Sequence, residues 1–235
     1  MSPAPRRAPS ATLAAGIRAC LPLVPSVAAF ALVYGVLARH AGLEPGAILA
    51  MSALVFAGAA QFTAVSMWGH AGPALIVLTT LIINLRHLLM GASLAPHLRG
   101  EPAGWKALLA FGTADETYAL AISRYLAGGG SRAYFLGVNA ALYAAWILGT
   151  LAGATLGGRV PDPTRWGIGL VFPLTFLGLL VPLLGSRITL AVAAASALAA
   201  VATAPWLPGK GNILVAILAG SLLGAALEAR CPTTR

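Results

Sequence analysis

Long apolar runs, parted by short turn-forming breaks, organise the whole chain. They fall at about 20–38, 46–68, 73–95, 105–126, 133–157, 167–184, 188–204 and 212–228. A helix of about 20 apolar residues crosses the hydrocarbon core of a bilayer, so each run is a candidate span. The breaks carry turn chemistry: Gly42-Leu43-Glu44-Pro45-Gly46, Gly72-Pro73, Gly128-Gly129-Gly130, Pro161-Asp162-Pro163, and the stretch from Pro205 to Gly211. The pattern predicts an all-α, polytopic integral membrane helical bundle of about eight transmembrane helices. Seven is the alternative count, because the last two runs are short and Ala-rich and Pro182 to Arg187 is a brief connection. No polar stretch is long enough for a soluble domain. Residues 1–235 are therefore expected to form a single transmembrane domain, with 1–15 as a flexible N-terminal tail.

Composition sharpens this picture. Hydrophobic residues make up 59% of the chain and charged residues only 9%, against about 25% charged in soluble domains. The apolar runs are continuous rather than alternating, which argues against a β-barrel. The net charge is +9. The basic residues are thinly spread between the runs, with no stretch interleaved with aromatics, so lipid headgroups and topology explain them better than nucleic acid does. Cys20 and Cys231 are the only cysteines and show no metal-ligand spacing. The first run follows Arg6, Arg7 and Arg18, lacks a credible cleavage site, and is long enough to remain as an anchor. With eight spans and the N-terminus inside, eight Lys and Arg residues fall inside and six outside. The majority favours a multi-pass protein with its N-terminus in the cytoplasm.

Charged groups interrupt this hydrophobicity where it should be deepest. Asn84-Leu85-Arg86-His87 lies near the middle of the third run, and Asp115-Glu116 straddles the middle of the fourth. Arg86 and His87 stand within about 3–5 Å of the level of Asn84, and Gln61 roughly 6 Å past the middle of the second run. Three consecutive helices thus place polar groups in one slab. Ionised groups at the bilayer centre cost roughly 2.5–3.5 kcal/mol each. Two acids cost roughly 5–7 kcal/mol, while a Leu, Ile or Phe returns only about 0.3–0.6 kcal/mol. The fourth run should insert stably only if Arg86 or His87 meets the acids or an acid takes up a proton. Two adjacent acids beside one Arg can leave one ionised and the other protonatable, which is what a proton-coupled carrier needs. The alternative is a buried ion pair that fixes helix register without transport chemistry. For Gln61 and Asn84 the alternative is interhelical hydrogen bonding.

Helix-breaking residues mark the same segments. Pro22 and Pro25 lie in the first run, Gly58-Ala59-Ala60-Gln61 in the second, and Pro173 and Pro182 in the sixth. Carriers unwind helices at the binding level, where freed carbonyls and amides line the cavity; ordinary kinking is the competing explanation. Leu54-Val55-Phe56 and Leu170-Val171-Phe172 hint at an internal repeat. Gly149, Gly153 and Gly157, and again Gly220 and Gly224, form ridges that let helix backbones approach, within the chain or against another subunit. Packing within the chain is favoured.

Several stretches together resemble the AzlC family, the large subunit of bacterial branched-chain amino acid exporters. They are Ser52 to Phe62 (SALVFAGAAQF), Thr79 to Leu89 (TTLIINLRHLL), Thr113 to Thr117 (TADET) and Trp146 to Gly158 (WILGTLAGATLGG), with Pro22 and Gly35 at the family's first-helix proline and glycine. The likeness spans roughly residues 15–230. One departure stands out: Val171 occupies a place before the sixth-helix Phe where the family has an Asp. The resemblance implies export of leucine, valine, isoleucine and sometimes methionine across the inner membrane, driven by the membrane potential or proton gradient. It also implies a small hydrophobic membrane partner, AzlD. No phosphate-binding glycine loop ending in Lys-Ser/Thr occurs, so no ATPase subunit is expected.

The leading expectation is a secondary active transporter coupled to protons, not an enzyme, with no cofactor and no metal. Asp115 and Glu116 would contact the proton or the substrate ammonium. Arg86 would balance their charge or meet the substrate carboxylate, and Asn84, His87 and Gln61 would complete the polar lining. An intramembrane enzyme using His87 finds thin support, since no Ser or Cys nucleophile accompanies it at a credible spacing. A non-transporting membrane scaffold would rest on the glycine ridges alone.

Overall fold

A computed structural model describes residues 12–159, 174, 177, 180, 181, 184–207 and 212–230. Among the described residues every regular element is a helix. The helices are α1 (Leu13–Cys20), α2 (Val24–His40), α3 (Pro45–Val55), α4 (Gly58–Met67), α5 (Pro73–Asn84), α6 (Arg86–Leu94), α7 (Ala103–Phe111), α8 (Asp115–Leu126), α9 (Arg132–Leu156), α10 (Arg187–Thr203) and α11 (Asn212–Arg230). Short 3-10 turns follow α6 and α9. Contacts divide the chain into two compact units, Met1–Gln61 with Asn84–Pro161, and Phe62–Ile83 with Asp162–Arg235.

Helix α9 is the spine of the first unit. Half of its most apolar stretch is buried (50%), whereas the equivalent share for Pro73–Leu98 is 6%. Glycine makes the burial possible. A Cβ on Gly35 of α2 would lie 2.6 Å from both Ala154 N and Thr150 O of α9, and one on Gly153 would collide with Leu32 O. The two backbones therefore touch, and the Gly149–Gly153–Gly157 ridge packs within the chain. Helix α1 begins at Leu13, inside the stretch expected as tail, because the Thr12 hydroxyl caps it by accepting from Ala15 N. It bends 68° into α2 around Pro22, and Pro25 falls in the first turn of α2, where no backbone donor is lost.

The second and fourth apolar runs are each two helices. Helix α3 stops at Phe56, whose backbone is left-handed (φ 43°) although it is not glycine. The chain then turns sharply, since Gln61 Nε2 donates to Ser52 Oγ at 2.9 Å. A straight helix would hold those residues about 13.5 Å apart along its axis. The fourth run folds back more fully. Arg132, at the start of α9, pairs with Glu101 at 2.9 Å and lies over the Trp105 ring, both just before or within α7. His97 stacks on Tyr125 at the far end of α8, 5.1 Å between centroids. Both ends of the α7–α8 segment therefore lie at the N-terminal end of α9. Helices of 9 and 12 residues reach only about 14 and 18 Å, near half of a hydrocarbon core of about 30 Å.

The segment over 105–126, expected as one crossing, is thus a helical hairpin. Its apolar composition is that of a membrane-buried segment, but composition carries no information about the turn at Gly112–Ala114. Among the described residues two helices are long and apolar enough to cross a membrane, Pro73–Leu98 and Arg132–Arg159, and the bent α1–α2 pair is a third candidate. Eight crossings are not what the described residues offer. The fold-back also corrects the charge assignment: Arg99 and Lys106 share an end with Arg124 and Arg132, not opposite faces.

In the second unit α10 and α11 pack as an antiparallel pair. Asn212 Nδ2 donates to Ala200 O at 3.0 Å, Gly220 lies against Ser196, and Gly224 lies against Val192. This glycine ridge, too, is used internally. The sixth run with Val171, Pro173 and Pro182 lies outside the described residues, apart from single helical positions such as Leu174, and so does Cys231.

Two outcomes follow. Single cysteines replacing Lys106 and Ser131 should react with a membrane-impermeant thiol reagent from the same side; labelling from opposite sides would restore the crossing. Gly153→Val should lower the unfolding temperature by the equivalent of about 1–3 kcal/mol or more. Gly91→Ala, where a Cβ meets open space, should leave it nearly unchanged.

Candidate functional site

The hairpin tip places the two acids. Helix α7 ends at Gly112, where Asn139 of α9 presses so closely that a Cβ would lie 2.6 Å from Asn139 Cγ. Asn139 Nδ2 donates to Leu109 O at 3.0 Å, a carbonyl freed by the break. Thr117 closes the start of α8 by accepting from Ala114 N at 2.7 Å and donating back to Gly112 O at 3.0 Å. Asp115 and Glu116 therefore occupy the first turn of α8 rather than the middle of a long helix. The positive end of the helix dipole lowers the cost of carboxylates there.

Arg86 is the first residue of α6, and its NH1 meets Asp115 Oδ2 at 2.6 Å. The side chains keep 32% and 42% of their exposure, so the pair is partly shielded. Glu116, one residue on, is exposed and does not join it. Tyr118 donates to Ser93 Oγ at 3.0 Å further along, so α6 and α8 leave the charged pair side by side. His87 turns inward on its own helix: its Nδ1 lies 3.0 Å from Asn84 O. A carbonyl only accepts, so Nδ1 carries a proton in this hydrogen bond and Nε2 is left free of it. Leu88 N–H turns to Leu85 O instead, which is why the helix is interrupted at Leu85.

Among the described residues four buried side-chain atoms lack a hydrogen-bond partner: Gln61 Oε1, Asn84 Oδ1, Arg86 Nε and Asn139 Oδ1. All four stand at or beside the breaks between half-helices. Buried polar atoms are nearly always satisfied, so unpartnered ones at the breaks make these places candidates for binding something polar, water included.

Gln61 belongs to a different cluster from the one expected. Ser52 Oγ accepts from Gln61 Nε2 at 2.9 Å and from Trp146 Nε1 at 3.1 Å, and stands 2.9 Å from Thr150 Oγ1. Tyr143 donates to Ala53 O at 3.0 Å, at the end of α3. Its ring contacts both tips, Phe56 at 5.0 Å and Phe111 at 5.9 Å. Asn139, Tyr143, Trp146 and Thr150 were not singled out in the sequence. Their spacing of 4, 3 and 4 along an apolar helix puts them on one face, and that is the signal by which they were findable.

A cavity of about 640 Å³ adjoins the pair, reaching from His87 and Thr113 at one end to Arg99 and Lys106 at the other, with Leu94 and Phe135 in its walls.

The AzlC family model, described as AzlC protein, matches residues 22–160. The chain belongs to the AzlC family. The matched region takes in both broken helix pairs and the Arg86–Asp115 pair, and stops before α10. Among similar proteins, inner membrane protein YgaZ of Escherichia coli (strain K12) is 32% identical over 234 residues, covering 95% of this chain and 92% of that one. A protein named only as an uncharacterized membrane protein, from Archaeoglobus fulgidus, is 31% identical over 220 residues, covering 91% and 94%. The branched-chain amino acid transport protein AzlC of Bacillus subtilis (strain 168) is 28% identical over 151 residues, covering 63% and 58%. No solved structure matches the chain. This AzlC-family chain is an all-helical membrane protein.

Tyr143→Phe removes the side-chain donor to Ala53 O, and Asn139→Leu removes one of the two side-chain donors to Leu109 O, the other being Thr113 Oγ1. Each should destabilise the protein by about 1–3 kcal/mol, measured by thermal unfolding in detergent. Unchanged stability in both would show that α9 does not hold the breaks.

Proposed function

We propose that this AzlC-family chain is a proton-coupled secondary carrier that exports branched-chain amino acids (leucine, valine, isoleucine and sometimes methionine) across the inner membrane. The name of the Bacillus relative supports the substrate class. The observation that carries the reading is local. Beside one ion pair stand an orphaned donor, Arg86 Nε, and an orphaned acceptor, Asn84 Oδ1. A free amino acid brings the complementary pair, a carboxylate and an ammonium. A substrate carboxylate on Arg86 competes with Asp115, and Asp115, once released, takes the ammonium or a proton. Glu116, exposed one residue away, is the second proton acceptor. His87 Nε2 supplies a further polar contact at the cavity end. Gln61 lines the other break through its own cluster.

The reading extends to topology and partners. Arg18, Arg99, Lys106, Arg124 and Arg132 all lie toward the N-terminal end of α9, while Arg39 and Arg159 lie toward its C-terminal end. Within the first unit, five basic residues against two favour a cytoplasmic N-terminus. The whole chain then acts as one transport domain, working with a small AzlD-like membrane subunit and without an ATPase.

Cells preloaded with a leucine-containing dipeptide test this. Wild-type chain, expressed with its small partner, should release leucine at a rate that changes with external pH. Asp115→Asn and Glu116→Gln should each abolish release while the protein remains in the membrane. Normal leucine release by both variants would make the acids structural and end the proposal.

A further inference from the structure

The cavity beside α6 has a chemistry that the ion pair does not use. Arg99 and Lys106 stand at its mouth, both exposed and, among the described residues, neither in an ion pair. Lys106 Nζ donates only to Arg99 O, at 3.3 Å. Glu101, the nearest acid in sequence, is taken by Arg132. Among the described residues no carboxylate lines the cavity. A zwitterionic amino acid has no net charge for two free cations to neutralise, whereas a phosphodiester does. Behind the cations the wall is small and apolar. Gly91 and Ala92 of α6 and Ala95 of the turn after it are exposed, a Cβ on Gly91 meets open space, and the helical run that contains them is hardly buried. The cavity therefore opens sideways along the helix. Trp105 and Tyr125, beside the mouth, set it at the level of headgroups, where such aromatics concentrate.

We infer that this groove binds one anionic phospholipid. Its phosphate sits between Arg99 and Lys106. One acyl chain runs along Gly91, Ala92 and Ala95 and ends near His87 and Thr113. The lipid thereby touches the residue next to Arg86, which gives membrane composition a handle on the charged pair. The inference needs only the groove and its charges, and it stands apart from the choice of substrate.

Thermal unfolding of the detergent-purified full chain tests it. Added phosphatidylglycerol should raise the unfolding temperature by several degrees more than phosphatidylcholine with the same acyl chains. The extra shift should vanish in R99Q/K106Q, which removes the charges, and in G91L, which fills the apolar part and leaves the charges. Each variant is compared with its own lipid-free baseline, so a lower baseline does not obscure the result, and lipid retention by native mass spectrometry reads the same contrast. Equal shifts from both lipids, or a full shift retained in both variants, would overturn the inference. So would a full shift from glycerol 3-phosphate alone, which would mean a free-phosphate site, or loss of the shift on adding leucine, which would mean a substrate route.

Discussion

Inside a bilayer a broken helix has no water to satisfy the carbonyls and amides it frees, so something in the protein must reach each break. That constraint shapes the first unit. One face of α9 carries the answers: Asn139 for the α7–α8 tip, Tyr143 for the end of α3, and Trp146 and Thr150 for the Ser52–Gln61 cluster. Adjoining that face, Gly149, Gly153 and Gly157 are pressed on α2. The helix that holds the unit together by backbone contact is the same helix that makes its interruptions affordable.

The breaks in turn make a charged site possible. Two carboxylates in the middle of a continuous membrane helix would face their full insertion cost. At the first turn of a half-helix they meet backbone N–H groups and the dipole, and Asp115 meets Arg86 as well. The two broken pairs share a pattern. Phe56 and Phe111 each precede a run of small residues, and each ring packs on Tyr143. Five residues beyond them stand Gln61 and Glu116. Helix α3 enters from the C-terminal end of α9 and the α7–α8 pair from the other, so the two breaks meet at Tyr143.

Much of this was legible in the chain and some was not. Helicity, membrane residence and family could be read from continuous apolar runs and from motifs such as Asn84-Leu85-Arg86-His87. The meeting of Arg86 with an acid followed from the cost of leaving either alone. Direction was not legible, because Gly112-Thr113-Ala114 reads equally as a kink within a span or as the tip of a hairpin. The orientation count erred with it, since one misread crossing exchanges the side of every later charge. Gln61 was placed with the acids on axial level alone, but level does not say which neighbour a side chain faces. Asn139 and Tyr143 were overlooked because each is unremarkable until the break it serves is known.

The central claim is that Arg86 and Asp115 sustain each other at the hairpin tip, and exchanging their charges tests it most directly. R86D and D115R alone should each strongly reduce folded protein in the membrane. R86D/D115R together should recover a substantial part of it, measured by fluorescence-detected size-exclusion profiles of the same membranes. A double variant no better than the worse single one, or single variants that accumulate like wild type, would contradict the account.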